Sequence, residues 1–184
     1  MTLLRLISYE GSITIDGIDI KDVPRQQLRQ SLITITQEPL RLPGTVRENL
    51  IPQNLGKDKD TIQDHDEEIK ATLQKVELLD HVNSRGGLDK DFDDMDFSEG
   101  QRQLFSLARA LLQRSIMDSK ILLIDEATSN VDYESDARMQ KILREAFKGC
   151  TRLVIAHRVQ TIADSDVLIE LADGKLLLFV DKRI

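Results

Sequence analysis

Three short apolar runs in this 184-residue chain each stop on a polar group suited to a charged ligand. Leu32–Thr36 runs out on Gln37, Ile121–Ile124 on the adjacent carboxylates Asp125 and Glu126, and Leu153–Ala156 on His157. In a doubly wound α/β fold, ligands bind in the crevice beyond the carboxyl ends of the parallel strands. A carboxylate pair, an amide and an imidazole at that edge can converge on one ligand. Each group also has a plainer reading. Gln37 can be a loop glutamine ahead of Pro39, Asp125 and Glu126 can be helix-capping acids, and His157 beside Arg158 can be a satisfied surface histidine. A fourth feature is the run Ser98-Glu99-Gly100-Gln101, a capping box in which the hydroxyl accepts from an early helix amide while Gln101 reaches back. The helix it opens points free amides outward, where an anion can bind.

These groups need elements to place them. Leu104, Leu107, Ala108, Leu111 and Leu112 recur at three- and four-residue spacing, so the helix after Ser98 buries one face. The wholly apolar Ile121–Ile124 has the character of a strand covered on both faces in a parallel sheet. Gly11–Ile20 alternates apolar and polar residues around Asp16-Gly17, the pattern of a hairpin. Asp22 can cap a helix with Pro24 in its first turn that carries Leu28 inward. Thr2–Ile7 reads as an apolar helical fragment with no capping residue before it. Thr45–Leu50 is expected as a short helix, and Glu67–Val82 as a helical stripe through Ile69, Leu73, Val76 and Leu79, with the polar Gln53–Asp66 looped between them. Ser84–Asp96 holds Gly86, Gly87 and five aspartates but lacks the glycine and terminal glutamate of a calcium loop, which makes it a solvated acidic loop. His65 and His81 have no second ligand at metal spacing and are taken as ordinary surface residues. Gln113–Lys120 is expected as a connector. Glu134–Phe147 is an amphipathic helix with Asp132 as its natural cap, and Val167–Leu171 with Leu176–Val180 flank Asp173-Gly174 as a closing hairpin.

Composition sets bounds. The 40% hydrophobic content supports one sizeable core. A formal net charge of −7 argues against a general nucleic-acid surface, and the single Cys150 forbids an internal disulfide. The longest apolar runs fall far short of the roughly 20 residues that span a bilayer.

FSEGQ, followed by RQLFSLARALL and ILLIDEATSNVD, resembles the signature motif, Walker B strand and D-loop of an ATP-binding cassette domain. The similarity is greatest to the second nucleotide-binding domain of C-type, multidrug-resistance-associated transporters, and it runs from Thr2 to about Lys175. It implies an α/β fold: a P-loop NTPase-like parallel sheet core, incomplete here, with an inserted α-helical subdomain. Residues 1–44 and 116–184 would form the core and 45–115 the helical subdomain. It further implies ATP and Mg2+ as ligands. Asp125 and Gln37 would hold the metal, Glu126 would act as general base, His157 would contact the γ-phosphate, and Thr2 would lie at the phosphates. Ser98, Gly100 and Gln101 would serve the nucleotide of a second nucleotide-binding domain in a head-to-tail dimer, with Asp132 in the D-loop between them. The implied setting is the cytoplasmic face of a membrane, docked to transmembrane domains of an exporter and powering transport.

The chain departs from the family pattern in two places. Met1 stands where the family has the Ser or Thr that holds magnesium. No glycine-rich Walker A loop with its lysine is present, so the sequence is expected to be either a truncated gene model or a remnant, and the isolated fragment to be without activity. In the signature, Phe97 replaces Leu and Glu99 replaces Gly. A carboxylate about 6 Å from a phosphate at an effective dielectric near 20 costs roughly 3 kcal/mol unless it turns away, more than the roughly 0.3 to 1 kcal/mol it gains from the helix dipole. Glu99 is therefore expected to weaken catalysis at the site this motif completes. A reading from another class is a non-catalytic module that donates FSEGQ to an intact cassette. Cassette ATPases of DNA repair or translation are set aside, because they carry long coiled-coil or basic insertions or lack this layout.

Overall fold

The apolar runs pair with one another. In the computed structural model, which describes residues 1–51, 65–126, 133–156 and 165–183, with the backbone alone for 133–135, β3 (Leu32–Ile35), β4 (Ile121–Asp125) and β5 (Thr151–Ile155) form a parallel sheet in that order. Leu32 lies opposite Ile121 and Ile121 opposite Thr151; at the other end Ile35 pairs with Ile124, and Asp125 with Ile155. This register separates the two faces. Ile33, Ile35, Leu122, Ile124 and Val154 fall on one face and join the large core. Leu32 and Ile121 lie on the other, against a small cluster of Leu4, Tyr9, Ile13, Ile15, Ile20, Val23 and Leu28. Farther along that second face Thr34 is exposed, as are Leu153 and Ile155, at 47% and 54%. The expectation that Ile121–Ile124 is buried on both faces thus holds for one face only: Leu122 and Ile124 are buried, whereas Ile121 and Leu123 are half-buried.

Around the sheet stand β1 (Thr14–Ile15) and β2 (Ile18–Asp19), an antiparallel pair turning at Asp16-Gly17, and α1 (Arg25–Ser31), which buries Leu28. The helices α2 (Val46–Leu50), α3 (Asp66–Lys75), α4 (Leu79–Ser84), the long α5 (Glu99–Met117) and α6 (Tyr133–Ala146) follow, and β6 (Val167–Ala172) with β7 (Lys175–Asp181) closes the described chain as a hairpin. One continuous core joins the sheet face (Ile33, Leu122) to the helices (Leu50, Leu73, Phe105, Leu112, Phe147). Its centre is aromatic: Phe105 meets Phe92 edge-on at 4.8 Å and Phe97 at 5.5 Å. The hairpin is different, with Ile169, Leu171, Leu176, Leu177, Leu178 and Phe179 all exposed.

Several expectations are corrected. Thr2–Ile7 forms turns, not a helix: Arg5 takes a left-handed backbone (φ 50°) and spends its guanidinium on the carbonyls of Ile20 and Val23 at 3.0 and 2.7 Å. Six residues without a cap cannot offset the cost of helix nucleation. Helix α1 is entered through Pro24 with no side-chain cap, because Asp22 lies two residues too early and its amide is bound to Asp19. The stripe from Glu67 to Val82 is two helices, broken where Glu77 adopts φ 60° and Leu78 N–H returns to the Leu73 carbonyl at 2.9 Å. Helix α5 continues to Met117, so the connector before β4 is only Asp118–Lys120. The acidic loop is partly organised: Phe92–Met95 is a 3-10 turn, Asp89 accepts from Arg47 and Asp93 from Arg41. His157, Asp132 and Gln53–Asp64 lie outside the described residues.

Candidate functional site

The strand register carries the first site residues to one edge of the sheet. Gln37 is two residues beyond Ile35 and Glu126 two beyond Ile124, and since Ile35 pairs with Ile124 the two leave the sheet at the same level. Asp125 ends β4 on the open face, exposed, and Gln37 is exposed as well. Glu126 is half-buried and held in a left-handed backbone conformation (φ 45°), with its amide bound to the Ile155 carbonyl at 3.1 Å. A non-glycine residue in that region is strained, and such strain concentrates at functional sites. Residue 156 follows Ile155 at the same edge; the position of His157 itself is not described. Thr2 lies in the opening turns, its carbonyl accepting from Arg5 N–H at 2.8 Å.

The donors Asp125 and Gln37 suit a hard cation. Mg2+ binds through one or two carboxylates together with substrate phosphate oxygens, and keeps several waters. Among the described residues no group of three or more His, Cys, Asp or Glu side chains forms a metal cage.

The second constellation sits at the start of α5. Ser98 Oγ accepts from the Gln101 amide at 3.2 Å while Gln101 Oε1 accepts from the Ser98 amide at 2.9 Å, the reciprocal box expected from sequence. Gly100 is half-buried between them. Glu99 lies along the helix, 3.6 Å from the Arg102 guanidinium. That neighbour offsets part of the charge that would face a phosphate.

Sequence reasoning missed what ties these two regions together. Gln103, 1% exposed on α5, donates its Nε2 to the Gln37 carbonyl at 2.5 Å. Arg109, two turns on, donates to the carbonyls of Asn49 and Leu40 at 2.7 and 3.1 Å and lies over the Phe105 ring. Burial pushes its guanidinium down to about 10, so it stays charged at neutral pH. Asn49, itself buried, closes the segment by exchanging bonds with the Leu42 backbone at 3.0 and 2.9 Å. The strand-end loop carrying Gln37 is therefore hung on α5 at two points. The one signal available in sequence is that Arg109 interrupts the apolar run Leu107–Leu112; Gln103, after Gln101 and Arg102, gives none. His81 was also misjudged: it is half-buried, stacked on Phe97 at 5.1 Å, and bonded to the Met95 carbonyl at 2.8 Å. Among the described residues His65 makes a local contact with Glu68 at 3.2 Å.

A parallel sheet with acids and an amide at its carboxyl edge, joined to a capped helix facing outward, is the frame of a nucleotide-binding cassette. Residues 1–129 match the family model described as ABC transporter, and the chain belongs to that family. It is 42% identical to ATP-binding cassette sub-family C member 4 of Homo sapiens over 95% of its length, and 43% identical to ABC transporter C family member 3 of Dictyostelium discoideum over 97%. Against ABC multidrug transporter B of Aspergillus fumigatus it is 38% identical over 96%. The chain spans 11 to 12% of the length of these curated relatives. Among solved structures it is similar to a bacterial Atm1-family ABC exporter with ATP bound: TM-score 0.79 and 28% identity, over 98% of this chain and 30% of that one.

Proposed function

We propose that this chain is the ATP-hydrolysing part of an exporter's second nucleotide-binding domain, with 1–44 and 116–184 as core and 45–115 as helical subdomain. The level ends of β3 and β4, which lead into Gln37 and Glu126 at the sheet's carboxyl edge with Asp125 closing β4, carry this reading. Asp125 and Gln37 would hold the cation that accompanies ATP, which would supply neutralisation of the phosphate charge. Glu126 accepts a proton from the attacking water, with His157 at the γ-phosphate and Thr2 near the remaining phosphates. Ser98, Gly100 and Gln101 serve the nucleotide of a second cassette, with Asp132 in the D-loop between the two. The partners are that cassette and transmembrane domains, and the setting is the cytoplasmic side of a membrane. Among the described residues no helix is long and apolar enough to cross one.

The test is a segment exchange. Residues 2–175 replace the matching stretch of a C-type transporter that supplies a glycine-rich phosphate loop, and ATP turnover is measured in membranes. The exchanged protein is expected to hydrolyse ATP, and Glu126→Gln to slow it by about 100-fold or more, the scale of a general base. Normal turnover with Glu126→Gln would overturn the assignment. The 184 residues contain no loop of the form GxxxxGK(S/T), so the chain alone should show no binding heat at millimolar ATP, and micromolar affinity would refute that. The intact capping box in a chain without such a loop also favours a second reading, a module that donates FSEGQ to an intact cassette. Under that reading, mixing the chain with such a cassette raises its turnover.

A further inference from the structure

The outward turn at Ser98 is held from beneath by a residue no motif includes. His81 Nε2 lies 2.8 Å from the Met95 carbonyl oxygen, which can only accept, so Nε2 carries a proton. On the other side of the ring, Nδ1 lies 3.4 Å from Gln101 Nε2. The orientation of that amide is set independently, because its oxygen accepts from the Ser98 N–H at 2.9 Å. Its NH2 therefore faces His81, and Nδ1 must be the acceptor, which requires the neutral ring. Phe97, stacked on the imidazole at 5.1 Å and 27°, fixes the ring plane.

These bonds form one relay. Gln101 N–H goes to Ser98 Oγ, Ser98 N–H to the Gln101 amide oxygen, the Gln101 NH2 to His81 Nδ1, and His81 Nε2–H to the Met95 carbonyl. A second ring proton places N–H against NH2 and forces Gln101 to flip or withdraw. A flip turns its NH2 onto the Ser98 N–H, so either response breaks half of the capping box. We propose that neutral His81 is a positioning residue of the Phe97–Gln101 turn, gripping Gln101 and through it the Ser98 cap, and that protonation releases the grip. This rests on the reading above, in which that turn faces a phosphate of the second cassette.

Charged groups on the elements packed beside His81 are paired with one another. Asp96 pairs with Arg85 at 3.5 Å, Glu99 with Arg102 at 3.6 Å, Asp94 with Lys90 at 2.5 Å and Glu77 with Arg138 at 2.8 Å. Asp80 is exposed on the same helix, and Lys75 ends α3 before it.

Histidine is the side chain that changes charge between about pH 5 and 8, so the experiment is a nitrogen-15 NMR titration of the 184-residue chain across that range. At pH 8 the His81 ring nitrogens should report the Nε2–H tautomer. The Ser98 amide and the Gln101 side-chain amide should shift with the His81 midpoint, and Ser98 protection, corrected for intrinsic exchange, should drop about fivefold, the scale of a lost cap bond. His81→Phe keeps the stack but not the acceptor, and should show the low protection at every pH. His81→Asn, which can accept at the Nδ1 position, should restore protection and remove the pH dependence. A Ser98 amide indifferent to His81 titration overturns the proposal, as does full protection in a folded His81→Phe chain. Should that variant fail to fold, the wild-type titration decides alone. No nucleotide is involved, so failure here leaves the hydrolysis reading to the segment exchange.

Discussion

Replacing Gln103 by leucine should separate stability from site geometry. The side chain is 1% exposed, its Nε2 donates to the Gln37 carbonyl at 2.5 Å, and its Oε1 finds no partner among the described residues. A buried, unpaired oxygen costs about 1 to 3 kcal/mol, whereas the bond to Gln37 contributes about 0.5 to 1.5 kcal/mol net. Gln37 is exposed, so water can take the place of the lost donor. Leucine has nearly the same volume and a similar helix propensity. The expected net effect is a gain of about 1 kcal/mol, which for a chain of this size raises Tm by roughly 2 to 4 °C. The loop pays with mobility: with Arg109–Leu40 as its remaining anchor to α5, exchange at residues 38–42 should rise severalfold. Urea unfolding read by circular dichroism gives the first quantity, and hydrogen exchange by mass spectrometry the second. Destabilisation by more than about 2 kcal/mol would mean that Oε1 has a partner and the reasoning fails. Unchanged exchange at 38–42 would mean that Gln103 does not position Gln37.

Two further outcomes follow from the surface. The β6–β7 hairpin exposes Ile169, Leu171, Leu176, Leu177, Leu178 and Phe179, an apolar surface of the kind that drives association, so the chain should sediment as larger species with rising concentration. The double change Leu177→Lys and Phe179→Lys should suppress this while moving stability by only about 0.5 kcal/mol; unaltered sedimentation would place the contact elsewhere. Hydrogen bonds from Arg47 and Arg41 hold the Asp89 and Asp93 carboxyls below their ordinary value of 3.8. Their stabilisation is therefore complete above pH 3.8 and lost as pH falls through the lower folded-state values. The urea midpoint should drop with acid below that point, and less steeply in an Asp89→Asn, Asp93→Asn chain; equal slopes would show that these pairs contribute nothing.

What the residue order alone determined is what depends on neighbours in the chain. The three strands, the capping box at Ser98 and the closing hairpin at Asp173-Gly174 were legible because periodicity, cap chemistry and turn residues act over a few positions. The same locality made the candidate residues at strand ends visible, since each follows its strand directly. Interruptions were harder: the break at Glu77 and the run of α5 through Met117 turn on single backbone conformations that apolar spacing does not encode. Tertiary structure decided the rest. Gln37 and Glu126 share a level only because β3 and β4 pair in one register across 89 residues of chain, as Ser119 reaching the Gln30 carbonyl also shows. The grip of Gln103 on Gln37, of Arg109 on Leu40 and of His81 on Gln101 spans 66, 69 and 20 residues. A polar side chain shows no sign in one dimension of which distant carbonyl or amide will satisfy it, because that partner is chosen by packing.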